Sequence, residues 1–420
     1  MHSEPRSLYA ISNMLQLYDT LSGTTRPFEP FGPTVSLYVC GVTPYDTTHL
    51  GHAFTFLSFD TLIRYLRYQG HTVRYIQNVT DVDDPLFEKA RQLGVSYTDL
   101  ATEQTNRYLA DMRALNVLPA DMYPHASGEI AEMITLIESL VRTGNAYVVE
   151  GSVYFSIATY PEYGQLSKYN REEMITIARE RGGNPDDPRR RDPLDFVLWR
   201  PSKADEPAWP SPWGDGLPGW HIECSAMSLK YLQTPLDIHG GGADLLYPHH
   251  ESEIAQSEVA TSVRPFARFW LHTGMVYLGG EKMSKSLGNM VFARDLLANH
   301  GSDAIRIYLL GYHYRSVLHY DATILERAVA VAAGIAEAAW LASGAATAPL
   351  DLAAYRDRFK DRMNNDLDTP GAVAVVEELA NAIHTAHKQN QDLTAAQELL
   401  RELGDVLGLR LERPLPGSEA

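Results

Sequence analysis

Apolar and polar positions change their period several times along the chain, and each change marks an element. Residues 34–40 (TVSLYVC) read as a strand that ends at Cys40. From Gly51 to Tyr68, aliphatic and aromatic residues recur at helical spacing. The following HTVRYIQNVTD is β-branched and aromatic, which predicts a second strand. Strand, turn, helix and strand in that order predict a right-handed βαβ unit in a parallel sheet. Ligands of such sheets bind at the carboxyl ends of the strands, so Cys40 and Asn78-Val79-Thr80 should face one crevice.

Residues 85–145 repeat Leu, Ala and Met at helical spacing. Between Asn145 and Trp213 the pattern becomes irregular and rich in Pro, Gly and Tyr, which predicts an insertion in the main domain. LDIHGGGADLLYPHH predicts a strand followed by a glycine-rich turn, SEIAQSEVA opens a helix, and FARFWLHTGMVYL is another strand region. Beyond Asp303 the pattern is mostly helical, with a Pro/Gly/Ala break at 343–349 that predicts a linker. The fold class is therefore α/β, followed by helices.

Composition narrows the function classes. The N-terminal MHSEPRSLYA has no apolar core of signal-peptide length, so no secretion is expected. The alanine-rich window 328–346 is interrupted by Glu337 and predicts a packed helix, not a membrane span. A net charge of −17 without a basic tail argues against strong sequence-independent binding of nucleic acid. The run Arg189-Arg190-Arg191 reads as a solvated, Pro-rich loop. Two cysteines exclude a disulfide scaffold and fit a reducing, cytoplasmic setting.

Two short motifs carry chemistry. In Thr48-His49-Leu50-Gly51-His52, Gly51 would let a helix start approach a ligand, and the free N–H groups there favour phosphate. His49 and His52 could donate to phosphate oxygens as charge develops. In GGEKMSKSLGN, Lys282 and Lys285 could close over a triphosphate and neutralise the leaving pyrophosphate. A third group is Cys40, Cys224 in GWHIECSAM, and His249 and Glu253 four positions apart in YPHHESEIAQSE. These can supply a sulfur-rich tetrahedral zinc site; two buried thiols beside an unrelated polar helix start is the alternative.

HLGH and KMSKS together resemble the two signatures of class I aminoacyl-tRNA synthetases, which activate an amino-acid carboxylate with ATP. The resemblance implies a Rossmann-type nucleotide-binding catalytic domain over residues 1–300, with an insertion at approximately 120–215. A C-terminal helical domain over residues 301–420, lacking an anticodon-binding module, would follow. GWHIECSAM and PHHE are similar to cysteinyl-tRNA synthetases. That similarity implies one Zn²⁺ per chain held by Cys40, Cys224, His249 and Glu253, with the substrate thiolate bound to it, and Mg²⁺ accompanying ATP. It also implies that the cysteinyl-adenylate is lined by Cys40, Gly41, Val42, Thr43, Thr55, Asn78, Val79, Thr80, Trp220, Gly242, Ala243, Asp244, Val276, Met283 and Ser284, with His49, His52, Lys282 and Lys285 catalytic.

Three further features resemble the mycothiol-pathway cysteine ligases, relatives of cysteinyl-tRNA synthetase: Pro44 in GVTPYD, Pro85 in NVTDVDDPLFEKA, and the loop Glu180-Arg181-Gly182-Gly183-Asn184-Pro185. They imply that activated cysteine passes to the amine of glucosaminyl-inositol; residues 180–185 are read as the acceptor contact, with a plain irregular loop as the rival reading. Glu253 departs from that pattern and matches the tRNA ligases, so transfer to tRNA or to another amine stays open, as does a monomer or a homodimer. A base for the amine is sought in Asp81, Asp83 and Asp84, for which helix capping is the rival role. A regulatory paralogue without activity is disfavoured, because HLGH, KMSKS and the four candidate ligands are all intact.

Overall fold

The computed structural model describes residues 14–46, 48–232, 234–283, 290–346 and 350–413. A hairpin of β1 (Gln16–Asp19) and β2 (Thr24–Pro27) leads into β3 (Thr34–Val42). Helix α1 (Leu50–Tyr68) returns the chain to β4 (Thr72–Val79), which runs parallel to β3 with Val35 opposite Val73. The predicted βαβ unit is present. Alternation along β3 sends Val35, Leu37 and Val39 into one apolar cluster and Tyr38 and Cys40 into another on the opposite face.

Helices α2 (Asp84–Leu93), α3 (Tyr97–Ala114) and α4 (Ile130–Arg142) follow. The stretch expected to be irregular instead builds an antiparallel sheet of β5 (Ala146–Val149), β6 (Ser152–Phe155), β7 (Phe196–Pro201) and β8 (Gly216–Pro218). Helix α5 (Arg171–Glu180) lies between β6 and β7. Such short strands, β7 and β8 closed by proline, carry too little alternation to stand out along the sequence.

Helix α6 (Trp220–Tyr231) leads back to the main sheet at β9 (Leu236–Gly242), and α7 (Glu251–Thr261) connects to β10 (Ala267–Thr273). The main sheet has the order β10-β9-β3-β4 with every pair parallel. Gly240, Gly241 and Gly242 belong to β9 itself and not to a turn after it. A Cβ on Gly240 would lie 2.2 Å from Phe59 Cζ, so glycine lets α1 pack directly on the strand.

A small sheet of β11 (Val276–Leu278), β12 (Glu281–Lys282) and β13 (Leu318–His319) has β11 in the middle, with α8 (Ala293–Asn299) and α9 (Ser302–Leu310) between β12 and β13. The chain then forms α10 (Ala322–Ala338), α11 (Leu352–Asn364), α12 (Thr369–Lys388) and α13 (Thr394–Val406). Helix α10 buries Leu325, Ala328, Ala332, Ile335 and Ala338 along one stripe, as the alanine-rich window predicted. No helix among the described residues is long and apolar enough to cross a membrane.

One apolar cluster continues from Leu15 and the main sheet through α9 and α12 to Leu411. A buried ion pair stands inside it. Arg306 on α9 reaches Asp60 Oδ2 at 2.5 Å with Nη2 and donates to Leu407 O with Nε and to Leu115 O with Nη1. Asp60 also accepts from Arg64 Nε and from Leu118 N, so α1, the chain after α3, α9 and the C-terminal end share one polar node.

Candidate active site

The carboxyl ends of β3 and β9 open on a cavity of about 470 Å³. Of the residues expected around an adenylate, Cys40, Gly41, Val42, Thr43, Thr55, Trp220, Gly242, Asp244, Val276 and Met283 line it, together with His49 and His52. Asn78, Val79 and Thr80 form the wall behind. Gly41 N donates to Asn78 Oδ1 at 2.8 Å, Asn78 Nδ2 to Thr80 Oγ1, and Thr80 N to Val42 O. Ala243 opens the short turn after β9.

A Cβ on Gly41 would lie 1.7 Å from the Asn78 carbonyl oxygen. Gly41→Ala is therefore expected to cost at least about 1–3 kcal/mol through backbone displacement. A lowered melting temperature with weakened ATP binding checks this, and a variant that melts and binds like the parent refutes it.

His49 is the N-cap of α1, and its Nδ1 accepts from His52 N at 3.3 Å. The two imidazoles stack with centroids 3.7 Å apart. Gly51 serves this pair as well as any ligand, because a Cβ there would come within 2.9 Å of the His49 ring. The helix start thus presents two rings to the cavity, but the N–H groups expected to be free are partly engaged: Leu50 N donates to Val291 O and His52 N to the His49 ring.

Ser284 and Lys285 lie outside the described residues, and Lys282 is placed by its backbone in β12. Met283 and Met290, one on each side of 284–289, both line the cavity. Leu50 N donates to Val291 O and Ala293 N to Thr48 O, which fastens the chain after this segment to the HLGH turn. The described residues on either side of the lysine-bearing segment therefore stand at the cavity wall.

Cys40, Cys224, His249 and Glu253 are all buried and bring one donor atom each to within 4.8 Å of the others. Cys40 Sγ lies 3.7 Å from Cys224 Sγ and 3.4 Å from Glu253 Oε1, and His249 Nε2 lies 3.1 Å from Glu253 Oε1. Burial, the Cys224 thiol and Glu253 push the Cys40 thiol well above its ordinary pKa, and burial raises Cys224 too. A bound divalent cation reverses that balance, because it favours thiolate. Burial pushes His249 down to about 3, so its ring is neutral and able to ligate.

A second donor set shares two of these residues: Cys40, His239, His250 and Glu253. The sequence reading missed His239 and His250, although both occur in the stretch quoted as LDIHGGGADLLYPHH. The signal for His239 was an imidazole on a buried strand, and for His250 its place beside His249. The first set fits a metal better. His249 holds its outer nitrogen against His221 Nδ1 at 3.0 Å and stacks on Trp220 at 4.3 Å, which orients Nε2 toward the cluster. His239 Nδ1 is buried without a hydrogen-bond partner, whereas ligating imidazoles almost always engage the outer nitrogen.

A second cavity of about 640 Å³ lies against the first, and Thr43, Tyr45 and Trp220 line both. Arg181, Gly182, Gly183 and Asn184 form part of its wall, just after Glu180 ends α5, while Pro185 is buried behind them. Arg189 and Arg190, read as solvated, also face it. Arg189 pairs with Asp187, and Arg191 lies over the Tyr147 ring at 3.9 Å. Arg181 Nη1 reaches Asp244 Oδ2 at 3.8 Å, so the inserted loop touches the first cavity's rim.

The chain matches the family described as tRNA synthetases class I (C) catalytic domain over residues 28–330 and a DALR domain over residues 358–412. It is 43% identical over 400 residues to a cysteine–tRNA ligase of Dehalococcoides mccartyi, covering 94% of this chain and 87% of that protein. It is 45% identical over 404 residues to an L-cysteine:1D-myo-inositol 2-amino-2-deoxy-alpha-D-glucopyranoside ligase of Gordonia bronchialis, covering 95% of this chain and 96% of that one. Methionyl-tRNA synthetase of Mycobacterium tuberculosis in complex with methionyl-adenylate shares the fold, with a TM-score of 0.64 at 17% identity over 90% of each chain. The class I expectation drawn from HLGH and KMSKS holds. This chain belongs to the class I tRNA synthetase (C) family and is a ligase.

Proposed function

We propose that this ligase activates L-cysteine with ATP and passes the cysteinyl group to the amine of an amino sugar, glucosaminyl-inositol, forming an amide. Diphosphate leaves in the first step and AMP in the second. The observation that carries the reading is the second cavity, which adjoins the cysteine and ATP crevice and is walled by residues 181–184. The similarity to the Gordonia bronchialis enzyme supports it.

In the activation step the cysteine carboxylate attacks the α-phosphorus of ATP. The His49 and His52 rings donate to the phosphate oxygens as charge builds there. Lys282 and Lys285 neutralise the leaving pyrophosphate, with Mg²⁺ accompanying the nucleotide. Zn²⁺ held by Cys40, Cys224, His249 and Glu253 would supply a soft Lewis acid that prefers a thiolate to a hydroxyl. Serine is then rejected at the binding step. Trp220 closes the wall between the crevice and the acceptor space.

The second reading is transfer to tRNA, favoured by the similarity to cysteine–tRNA ligases. Competition decides between them. Purified protein given cysteine, ATP, glucosaminyl-inositol and cysteine tRNA should accumulate the amide and leave the tRNA uncharged. Charged tRNA with no amide would establish the second reading and overturn the first.

A further inference from the structure

We propose that the Asp83 carboxylate accepts the proton of the attacking amine, acting from the wall that separates the two cavities. The inference rests on the reading that the second cavity holds an amine acceptor.

Asp83 is the N-cap of α2, the position at which an aspartate usually accepts a hydrogen bond from the first turn. Here it caps neither the second nor the third position of the helix: Pro85 removes one of those donors, and the side chain is held by Thr43 and by the adjacent Asp84 N–H. Thr43 Oγ1 donates to Asp83 Oδ2 at 3.3 Å. Thr43 lines both cavities and Asp83 lines the second, so the carboxylate stands where an amine in one would meet an acyl group in the other. The usual N-cap hydrogen bond, which rivalled catalysis for this residue, is therefore not formed.

The charged and titratable groups around Asp83 come from four elements: Asp84 on α2, Arg200 on β7, Glu223 on α6 and Tyr45 after β3. Burial first, and then the Asp84 charge, raise its pKa to about 7 against the opposing effects of Thr43, the Asp84 backbone N–H and Arg200. A proton acceptor works best when its pKa lies near the working pH. In the transfer step the amine lone pair forms the N–C bond to the adenylate carbonyl carbon. The proton on that nitrogen moves to the Asp83 carboxylate. The C–O bond to the phosphate then breaks, and its electron pair leaves with AMP.

The test separates the two half-reactions. Cysteine-dependent pyrophosphate exchange reads activation and confirms folding, and a single-turnover chase of preformed adenylate with glucosaminyl-inositol reads transfer. Asp83→Asn should slow transfer by about a hundredfold or more, a loss at least tenfold greater than any loss of exchange, and Asp83→Glu should recover part of it. The ratio of parent to Asp83→Asn transfer rates should shrink toward one as pH falls below 7, because the parent carboxylate is then protonated. The amine's own ionisation cancels in that ratio. Equal losses in both half-reactions, or a ratio that does not change with pH, would overturn the proposal. If the parent makes no amide from the sugar, the acceptor reading fails by itself. The same ratio measured with hydroxylamine as the chasing amine then decides the role of Asp83 by the same pH criterion.

Discussion

Cys224→Ser is expected to strip zinc from the purified protein and lower cysteine-dependent pyrophosphate exchange by more than about a hundredfold, the upper end of what loss of a mere outer-shell partner costs. The size follows from burial. Burial holds Cys40, Glu253 and His249 in place, so none of them can swing round to replace the lost soft donor. A hydroxyl also lacks the softness that makes the site prefer thiolates. The alternative donor set contains Cys40 and Glu253 but not Cys224, so the outcome discriminates. His239→Ala should keep its zinc. Elemental analysis of both variants checks this, and a zinc-loaded Cys224→Ser with a zinc-free His239→Ala would move the metal to the other set.

Arg306→Ala is expected to destabilise the fold by about 3–5 kcal/mol, the cost of removing one partner from a buried ion pair. The guanidinium is fully buried and satisfies Asp60 and two backbone carbonyls at once. Without it, Leu115 O and Leu407 O lose their donors in an apolar surround, while Asp60 keeps Arg64. Arg306→Lys should recover little, because an ammonium cannot reproduce the planar fork. Gly408 is adapted to this guanidinium: its φ is +71°, and a Cβ there would lie 2.1 Å from Nη2. The midpoint of chemical unfolding reads the effect, and an unchanged midpoint would show the node to be dispensable.

The parts of the fold visible in the sequence were those with a long, uniform period. Strand β3, helix α1 and strand β4 lie within one or two residues of their expected limits, apart from the two residues after Cys40 in β3. The β5–β8 sheet was invisible because its strands are short and because, beyond the β5–β6 hairpin, β6 meets β7 across 40 residues of turn and helix. The crevice was legible because HLGH and the thiol positions flank a strand end, where topology alone concentrates ligands. The imidazole cluster packed around the candidate metal ligands was not. His250 Nδ1 meets His272 Nε2 at 2.8 Å, and His221 meets His249, through contacts that only tertiary packing creates. Burial pushes His221 and His272 down to about 3, so these rings form a neutral scaffold.

The apolar core that runs from Leu15 to Leu411 makes the sheet and the far helices thermodynamic partners. A substrate held at one hundred times its dissociation constant adds about 2.7 kcal/mol to the folded state. Because this cluster joins one face of the sheet to α10–α13, that gain reaches them, although none of them lines the crevice. Fraying at the C-terminal end and occupancy of the catalytic cavity thus become two readings of a single cooperative equilibrium. Selection for tight substrate binding would also relax the demands on helix packing far from the chemistry.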